Sequence, residues 1–377
     1  GMLARVCLYA GQLDKAKKYA LYVYENFGPE GKNKWSSSAW FKFTATSNIG
    51  SSTASSNYIK LFDDVIFSLY DDLLLSHIST YKGSSVYMRL NMNIFDFGAY
   101  DDTVITRLHW LRNEFYPVIK EALEIRGEID LKVLIAQELQ MGDDGHNRNR
   151  AGTSLLIREL APAIVKTHFD QDVKVRALEF LNSNDHTWLN LTMPACKCTM
   201  DAIEGIEYCS LVYTMCRNGT EFGVRVAGLP GQWFHYTSEK VEGLYFPGFT
   251  EADANRDVGD SCITETTGIG GFCMAAAPAI VKFVGGTVAD SIKYSTEMYE
   301  ITEGEGTAYQ IPALGFRGSA TGIDIRKVIE TGIRPVINTG IACNRRGVGQ
   351  VGAGVVHPPM ECFEQAIEAF VAKYAEG

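Results

Sequence analysis

Residues 208–227 read YCSLVYTMCRNGTEFGVRVA. An apolar, β-rich run over Tyr208–Cys216 leads into Asn218-Gly219, the strongest short hairpin signal, where both residues tolerate the left-handed backbone of a type I′ turn. Phe222, Val224 and Val226 then alternate with polar or small residues, as the return strand of a half-buried hairpin does. Gly223 inside that strand marks a bulge or a close backbone approach.

Upstream of residue 186 the pattern is helical instead. Helices are predicted over 2–26, 58–77, 101–126, 130–141, 153–167 and 171–181, with Asp101-Asp102 as a capping pair and Pro117 expected to kink or split its helix. Residues 36–57 are rich in Ser and Thr and read as a loop. Downstream, a buried helix is expected over 269–283, a short helix over 323–330, a strand over 334–341 and a closing helix over 360–374. Helices followed by hairpins, without a regular βαβ rhythm, predict an α+β chain: a helical region, then a mixed α/β glycine-rich domain. The expected divisions are 1–86, a divergent N-terminal region; 87–185, mostly helical; and 186–377, glycine-rich.

Composition narrows the function. The chain has 377 residues, 35 Lys+Arg against 45 Asp+Glu and a net charge of −10. That balance argues against nucleic acid or an anionic membrane as the main partner and leaves room only for local anion sites. No segment reads as a membrane span or signal peptide, and nine cysteines without scaffold spacing fit a reducing cytoplasm. Cys196-Lys197-Cys198 has no CxxC companion and is read as ordinary thiols. Of 36 glycines, 24 lie between Gly205 and Gly354. Backbone there turns tightly or approaches something closely.

Four segments could carry chemistry. Gly142-Asp143-Asp144-Gly145-His146-Asn147-Arg148-Asn149-Arg150 packs carboxylates, an imidazole, amides and guanidiniums between two helices. His146 could move a proton, oriented by Asp143 or Asp260, with Asn147, Arg148 and Asn149 holding substrate. Alternatively Asp143, Asp144 and His146 could hold a divalent cation, although no cofactor or metal is assigned; the plain alternative is a solvated loop whose Asp and Asn cap the adjacent helices. In the hairpin, Asn218 and Arg225, with Arg217, are substrate or anion candidates. In the third segment, Asp257 to Gly271, Asp260 and Glu265 are candidate base or ligand groups. The glycines Gly268, Gly270 and Gly271 could aim N–H groups at a small anion or carbonyl, though the spacing fits neither a Walker loop nor a dinucleotide fold. In the fourth, Arg317 and Arg345 are candidate carboxylate or phosphate clamps, and Ser319 lacks the surroundings of a hydrolase nucleophile.

Taken together, the 142–149 motif, Arg217-Asn218-Gly219-Thr220-Glu221-Phe222-Gly223, Asp257-Val258-Gly259-Asp260-Ser261 with Glu265-Thr266, and Thr339-Gly340-Ile341-Ala342 with the closing glycine run resemble the YlbE/YahG-like bacterial proteins. That group is classed as a domain of unknown function, and the resemblance runs from about Tyr87 to the C-terminus. Its members occur beside FdrA-type proteins that resemble acyl-CoA synthetases, and one is a subunit of a multi-component oxamate carbamoyltransferase. The resemblance implies carbamoyl or acyl transfer to a small amide or amine, FdrA-like partner subunits and a homo- or hetero-oligomer. Residues 1–86 fall outside it. Two other readings stand beside it: a non-catalytic ligand-binding or scaffold subunit, and a metal-dependent hydrolase or lyase using Asp143, Asp144 and His146.

Overall fold

A computed structural model describes residues 78–79, 85–86, 110–259, 261–345 and 348–375. The helices expected over 2–26 and 58–77, the Ser/Thr-rich loop and Asp260 lie outside the described residues. Two short strands, β1 (Ile78–Ser79) and β2 (Ser85–Val86), pair antiparallel.

The helical part follows the apolar periodicity closely. A wide turn over Leu111–Phe115 runs into α1 (Tyr116–Arg126). Pro117 lies in the first turn of α1 and marks the junction between wide and regular helix, a local change of pitch where a ring in place of an N–H is accommodated. α2 (Leu131–Gln140) is capped by Asp130, which accepts from the Val133 N–H at 3.2 Å. α3 (Arg150–Lys166) and α4 (Gln171–Ser183) complete the predicted set. A further helix, α5 (Leu189–Asp201), was not predicted; Pro194 lies inside it. Phe115, Ile119, Ile135, Leu160, Ile164 and Trp188 form the centre of the hydrophobic cluster these helices enclose.

The hairpin forms with β3 (Val212–Asn218) and β4 (Glu221–Val226), but its turn differs from the expected one. Arg217 pairs with Phe222, so Gly219 and Thr220 are the central residues, and Gly219 has φ +86° at the first of them. That is the arrangement of a type II′ turn. Asn218 instead closes it from outside, its Oδ1 accepting from Thr220 N at 3.0 Å and Glu221 N at 2.7 Å. With β5 (Phe234–Thr237) and β7 (Val258–Gly259) the hairpin makes an antiparallel sheet in the order β5-β4-β3-β7.

The strand β6 (Glu242–Tyr245) joins a second antiparallel sheet, β10-β11-β6, with β10 (Ile337–Ala342) and β11 (Gln350–Val356). The glycine-rich 350–356 run is thus a strand whose glycines let backbones close up: a Cβ on Gly354 would lie 2.1 Å from the Glu242 carbonyl oxygen. A long ribbon, β8 (Thr302–Ile311) and β9 (Arg317–Ile323), occupies a segment whose glycines masked its strand character.

The buried helix expected over 269–283 is instead a chain of short turns. α6 (Ile263–Thr266) is followed by tight 3-10 turns over Gly270–Ala276 and Pro278–Ile280, then α7 (Val281–Val284). Gly270 at φ +65° and Pro278 both break a continuous helix. α8 (Val288–Glu297), opened by a Thr287/Asp290 capping box, α9 (Ile325–Thr331) and α10 (Met360–Tyr374) finish the described chain.

Strands, helices and antiparallel pairing make this an α+β fold. Its second hydrophobic cluster holds Val224, Phe272, Ile301, Ile337, Val351 and Phe363. Residues 262–276 serve both clusters: Ile263, Ile269 and Cys273 pack with the helices, while Cys262, Phe272 and Met274 pack with the sheets. Glu265 therefore sits on the seam. Among the described residues no helix is long and apolar enough to cross a membrane.

Candidate functional site

The loop after α2 turns inward because its polar groups are satisfied from within. Asp144, fully buried, accepts on Oδ1 from the backbone N–H groups of His146 and Arg148, each at 2.9 Å. Its Oδ2 takes the amide of Asn338 on β10, 194 residues along the chain. Gly270 N–H closes the loop from the other side, donating to the Asp144 carbonyl at 2.6 Å. Held this way, His146 is 3% exposed and its Nδ1 lies 2.7 Å from Glu265 Oε1.

Glu265 is itself over-determined. Gly271 N–H donates to Oε1 at 2.8 Å and the Thr264 hydroxyl donates to Oε2 at 2.9 Å. The glycine turn after α6 thus aims an N–H at an anion, as its composition suggested, but that anion is the protein's own carboxylate. A carboxylate accepting these bonds fixes the imidazole tautomer with the proton on Nδ1. Nε2 of His146 has no hydrogen-bond partner among the described residues, so its lone pair is left to accept a proton. The orienting carboxylate is Glu265, read from the sequence as a base or ligand candidate; Asp143, expected in that role, faces Gly152 instead, and Asp260 lies outside the described residues.

Asp143 turns away, accepting from Gly152 N–H at the start of α3 at 3.0 Å, with Arg148 Nε 3.4 Å from its other oxygen. Burial is the largest influence on Asp143 and raises its pKa to about 6 against the lowering effect of the Gly152 bond. Burial likewise raises the Asp144 pKa, opposed by its backbone bonds. Since Asp143, Asp144 and His146 are turned to separate partners, they do not surround a common point. Among the described residues no three His, Cys, Asp or Glu side chains are grouped to hold a metal ion.

Arg148 borders the centre, its Nε donating to the Gly142 carbonyl at 2.9 Å. Asn149 is buried and its amide donates to the His146 carbonyl, while Asn147 is half-buried beside it. The remaining predicted groups have other surroundings. Arg225, 1% exposed, meets Glu204 at 2.9 Å and lies over the rings of Tyr213 and Trp233. Arg317 pairs with Glu305 at 2.8 Å and stacks on Tyr299, and Arg345 pairs with Asp253 at 3.1 Å over Phe249. Asn218 is occupied by its turn. None of these contacts is shared with the His146 centre, so of the candidate groups Arg148, Asn218, Arg225, Arg317 and Arg345 only Arg148 adjoins it.

Of the other groups in the neighbourhood, Arg217 and Asp257 open two of the segments singled out in the sequence, whereas Glu138 and His186 belong to none. Arg217 is buried against Asp257, Nε to Oδ2 2.8 Å but off the line of a good hydrogen bond, and its Nη2 donates to Thr339 at 2.7 Å. The charge of His146 is felt at Asp257 and that of Glu265 at Arg217. Beneath the loop lies Glu138, fully buried, with the Trp188 indole against it but not aligned for a full hydrogen bond. Burial, reinforced by the charges of Asp143 and Asp144, raises its pKa well above the carboxylate range. His186 lies across Asn149 from His146. The signal for Asn338 and Glu265 is spatial, and spacing in sequence does not carry it.

Comparison with known proteins bears on this arrangement. A family model described as oxamate carbamoyltransferase subunit AllG matches residues 79–261. The AllG protein of Escherichia coli (strain K12), named as that subunit, is 45% identical over 300 residues, covering 78% of this chain and 72% of AllG. The uncharacterized protein YahG of the same organism is 50% identical over 285 residues, 74% of this chain and 60% of YahG, so the chain spans less than two thirds of that relative. A crystal structure of a conserved protein of unknown function from Enterococcus faecalis V583 superposes with a TM-score of 0.75 at 46% identity, covering 77% of this chain and 71% of that one. With relatives this similar along most of its length, the chain belongs to the YahG/AllG family.

Proposed function

We propose that the chain is a subunit of a carbamoyl- or acyl-transferring enzyme that acts on a small amide or amine with a phosphorylated donor, working with FdrA-like partner subunits. The observation that carries it is the His146–Glu265 pair, with Nδ1 on the carboxylate and Nε2 unpartnered among the described residues. Such a pair suits proton removal from a weakly basic nitrogen. The acceptor nitrogen forms its bond to the carbonyl carbon as its proton passes to Nε2. The C=O π pair moves onto oxygen, then returns and expels phosphate with the C–O bonding electrons. Glu265 stabilises the imidazolium that forms, and Arg148, two residues along the same loop, is the cation assigned to meet the leaving anion. The kinship with AllG supports the carbamoyl group as the cargo.

The chain, purified with its partner subunits and supplied with carbamoyl phosphate and oxamate, should release phosphate in step with carbamoylated product. Absence of product with oxamate and other small amides would overturn the reading. The depth of His146 favours a second reading, a subunit that binds ligand while a partner performs the chemistry. Under it, His146→Ala changes turnover little; under the first, turnover collapses.

A further inference from the structure

We propose that His186 is a second catalytic imidazole of the same site, donating from Nε2–H to the carbonyl oxygen of the transferred group while His146 receives the proton. The inference rests on the transferase reading above and adds a residue to it.

The argument begins with Asn149. Its Nδ2 donates to the His146 carbonyl oxygen at 2.5 Å, and that contact fixes the amide orientation, since the flipped amide would set two oxygens together. The same NH₂ group faces His186 Nδ1 at 3.5 Å. A donor facing Nδ1 makes that nitrogen the acceptor and leaves the ring proton on Nε2. Nε2 of His186 has no partner among the described residues. The two rings are thus set in opposite senses by their neighbours. Glu265 makes His146 an acceptor at Nε2, and Asn149 makes His186 a donor at Nε2.

The ring of His186 is held neutral as well as oriented. Burial is the largest influence and lowers its pKa; the nearby His146 lowers it further, while Asp185 and Asp144 oppose. Its backbone is anchored by Asn190, whose amide donates to the His186 carbonyl at 3.2 Å, on the short turn Asp185–Thr187 ahead of α5. Unlike His146, the residue keeps part of its surface accessible. A neutral imidazole donor suits a carbonyl whose oxygen gains charge as nitrogen attacks, since it stabilises that oxygen without surrendering its proton. The C=O pair moves onto oxygen, returns as the leaving group departs, and the His186 proton stays on Nε2 throughout.

The test uses the full chain with ¹⁵N-labelled histidine. At pH 7, long-range ¹H–¹⁵N correlation should show His186 as the neutral Nε2–H tautomer, and added oxamate should shift the ring signals of both His186 and His146. A charged ring or an Nδ1–H tautomer at His186 overturns the proposal. A shift at His146 alone overturns it too, while leaving the transferase reading intact. Shifts at neither ring with oxamate or carbamoyl phosphate remove both. In the reconstituted complex His186→Ala should lower kcat on the order of 10²–10³-fold, the usual loss for one oxyanion donor, with KM changed far less. His186→Gln, which keeps an N–H donor, should recover part of that loss; equal turnover for both variants and the parent chain refutes the role.

Discussion

Gly270→Ala tests the construction of the His146 centre directly. Gly270 has φ +65°, and a Cβ there would lie 2.3 Å from Glu265 Oε1 and 3.0 Å from His146 Cβ. The backbone term alone costs about 1–2 kcal/mol for an L-residue held left-handed. The contact with Oε1 must then be relieved by moving Glu265, whose Oε1 accepts from Gly271 N–H. Losing one hydrogen bond to a charged group costs roughly 1.5–3 kcal/mol, so the expected total is about 3–5 kcal/mol. Gly142→Ala supplies the control: φ is +96°, yet nothing lies within 4 Å of the added Cβ, so only the backbone term applies. Denaturant unfolding of the full chain followed by tryptophan fluorescence should rank the two variants, with Gly270→Ala the less stable by about 1.5–3 kcal/mol. Turnover of the complex should fall in Gly270→Ala and hold in Gly142→Ala. Equal stability of the two variants would refute the packing of Glu265 against this turn.

Other outcomes follow from the same geometry. Glu265→Gln leaves the shape of the pair but removes the charge that stabilises imidazolium, and should lower kcat by roughly 10²–10⁴-fold, read in a phosphate-release assay. Asp143 has a native pKa of about 6 against 3.8 unperturbed, so the native state binds more protons between those values. Its contribution is complete below pH 4 and is lost as pH rises through 6, a change of roughly 3 kcal/mol at most, which Asp143→Asn should remove from the pH profile of urea unfolding. Arg217→Met leaves Asp257 buried and unpaired and should destabilise the chain by about 3–5 kcal/mol in thermal unfolding, whereas the double variant with Asp257→Leu should recover much of that loss. Arg317→Ala, at an exposed surface pair, should change unfolding free energy by less than about 1 kcal/mol and leave turnover intact.

The legible parts of the fold were those with a local cause. α2 and α4 declare themselves through apolar periodicity, and the 212–226 hairpin through its turn residues. The type of that turn was misread because Asn218 is favourable in two places, inside a left-handed turn or beside it as an acceptor, and only register distinguishes them. β9 and β11 were missed because glycine lowers strand propensity while permitting the close pairing that holds these strands. The 269–283 stretch was apolar enough for a helix, but Gly270 and Pro278 outweighed its composition. For the site, the 142–149 motif named His146 and its neighbourhood, since so many polar types in one short loop need a reason. The arginines were named on charge alone, and Arg225, Arg317 and Arg345 each have a carboxylate of their own. Glu265 and Asn338 meet the loop only through tertiary packing.

That distance along the chain has a consequence for biosynthesis. His146 and Glu265 are 119 residues apart, and Asp144 and Asn338 are 194 apart. Closing loops of such length is entropically costly and slow beside helix formation. The helices through α5 have the local contacts to form while the rest of the chain is still being synthesised, but the imidazole lacks its carboxylate until Glu265 has emerged, and the loop lacks its Asn338 anchor until later still. A nascent or truncated chain ending before residue 338 thus exposes the polar groups of the 142–149 loop without their closing partner. Acquisition of the paired His146 centre is therefore a late event in folding, and its appearance reports that the two hydrophobic clusters have joined.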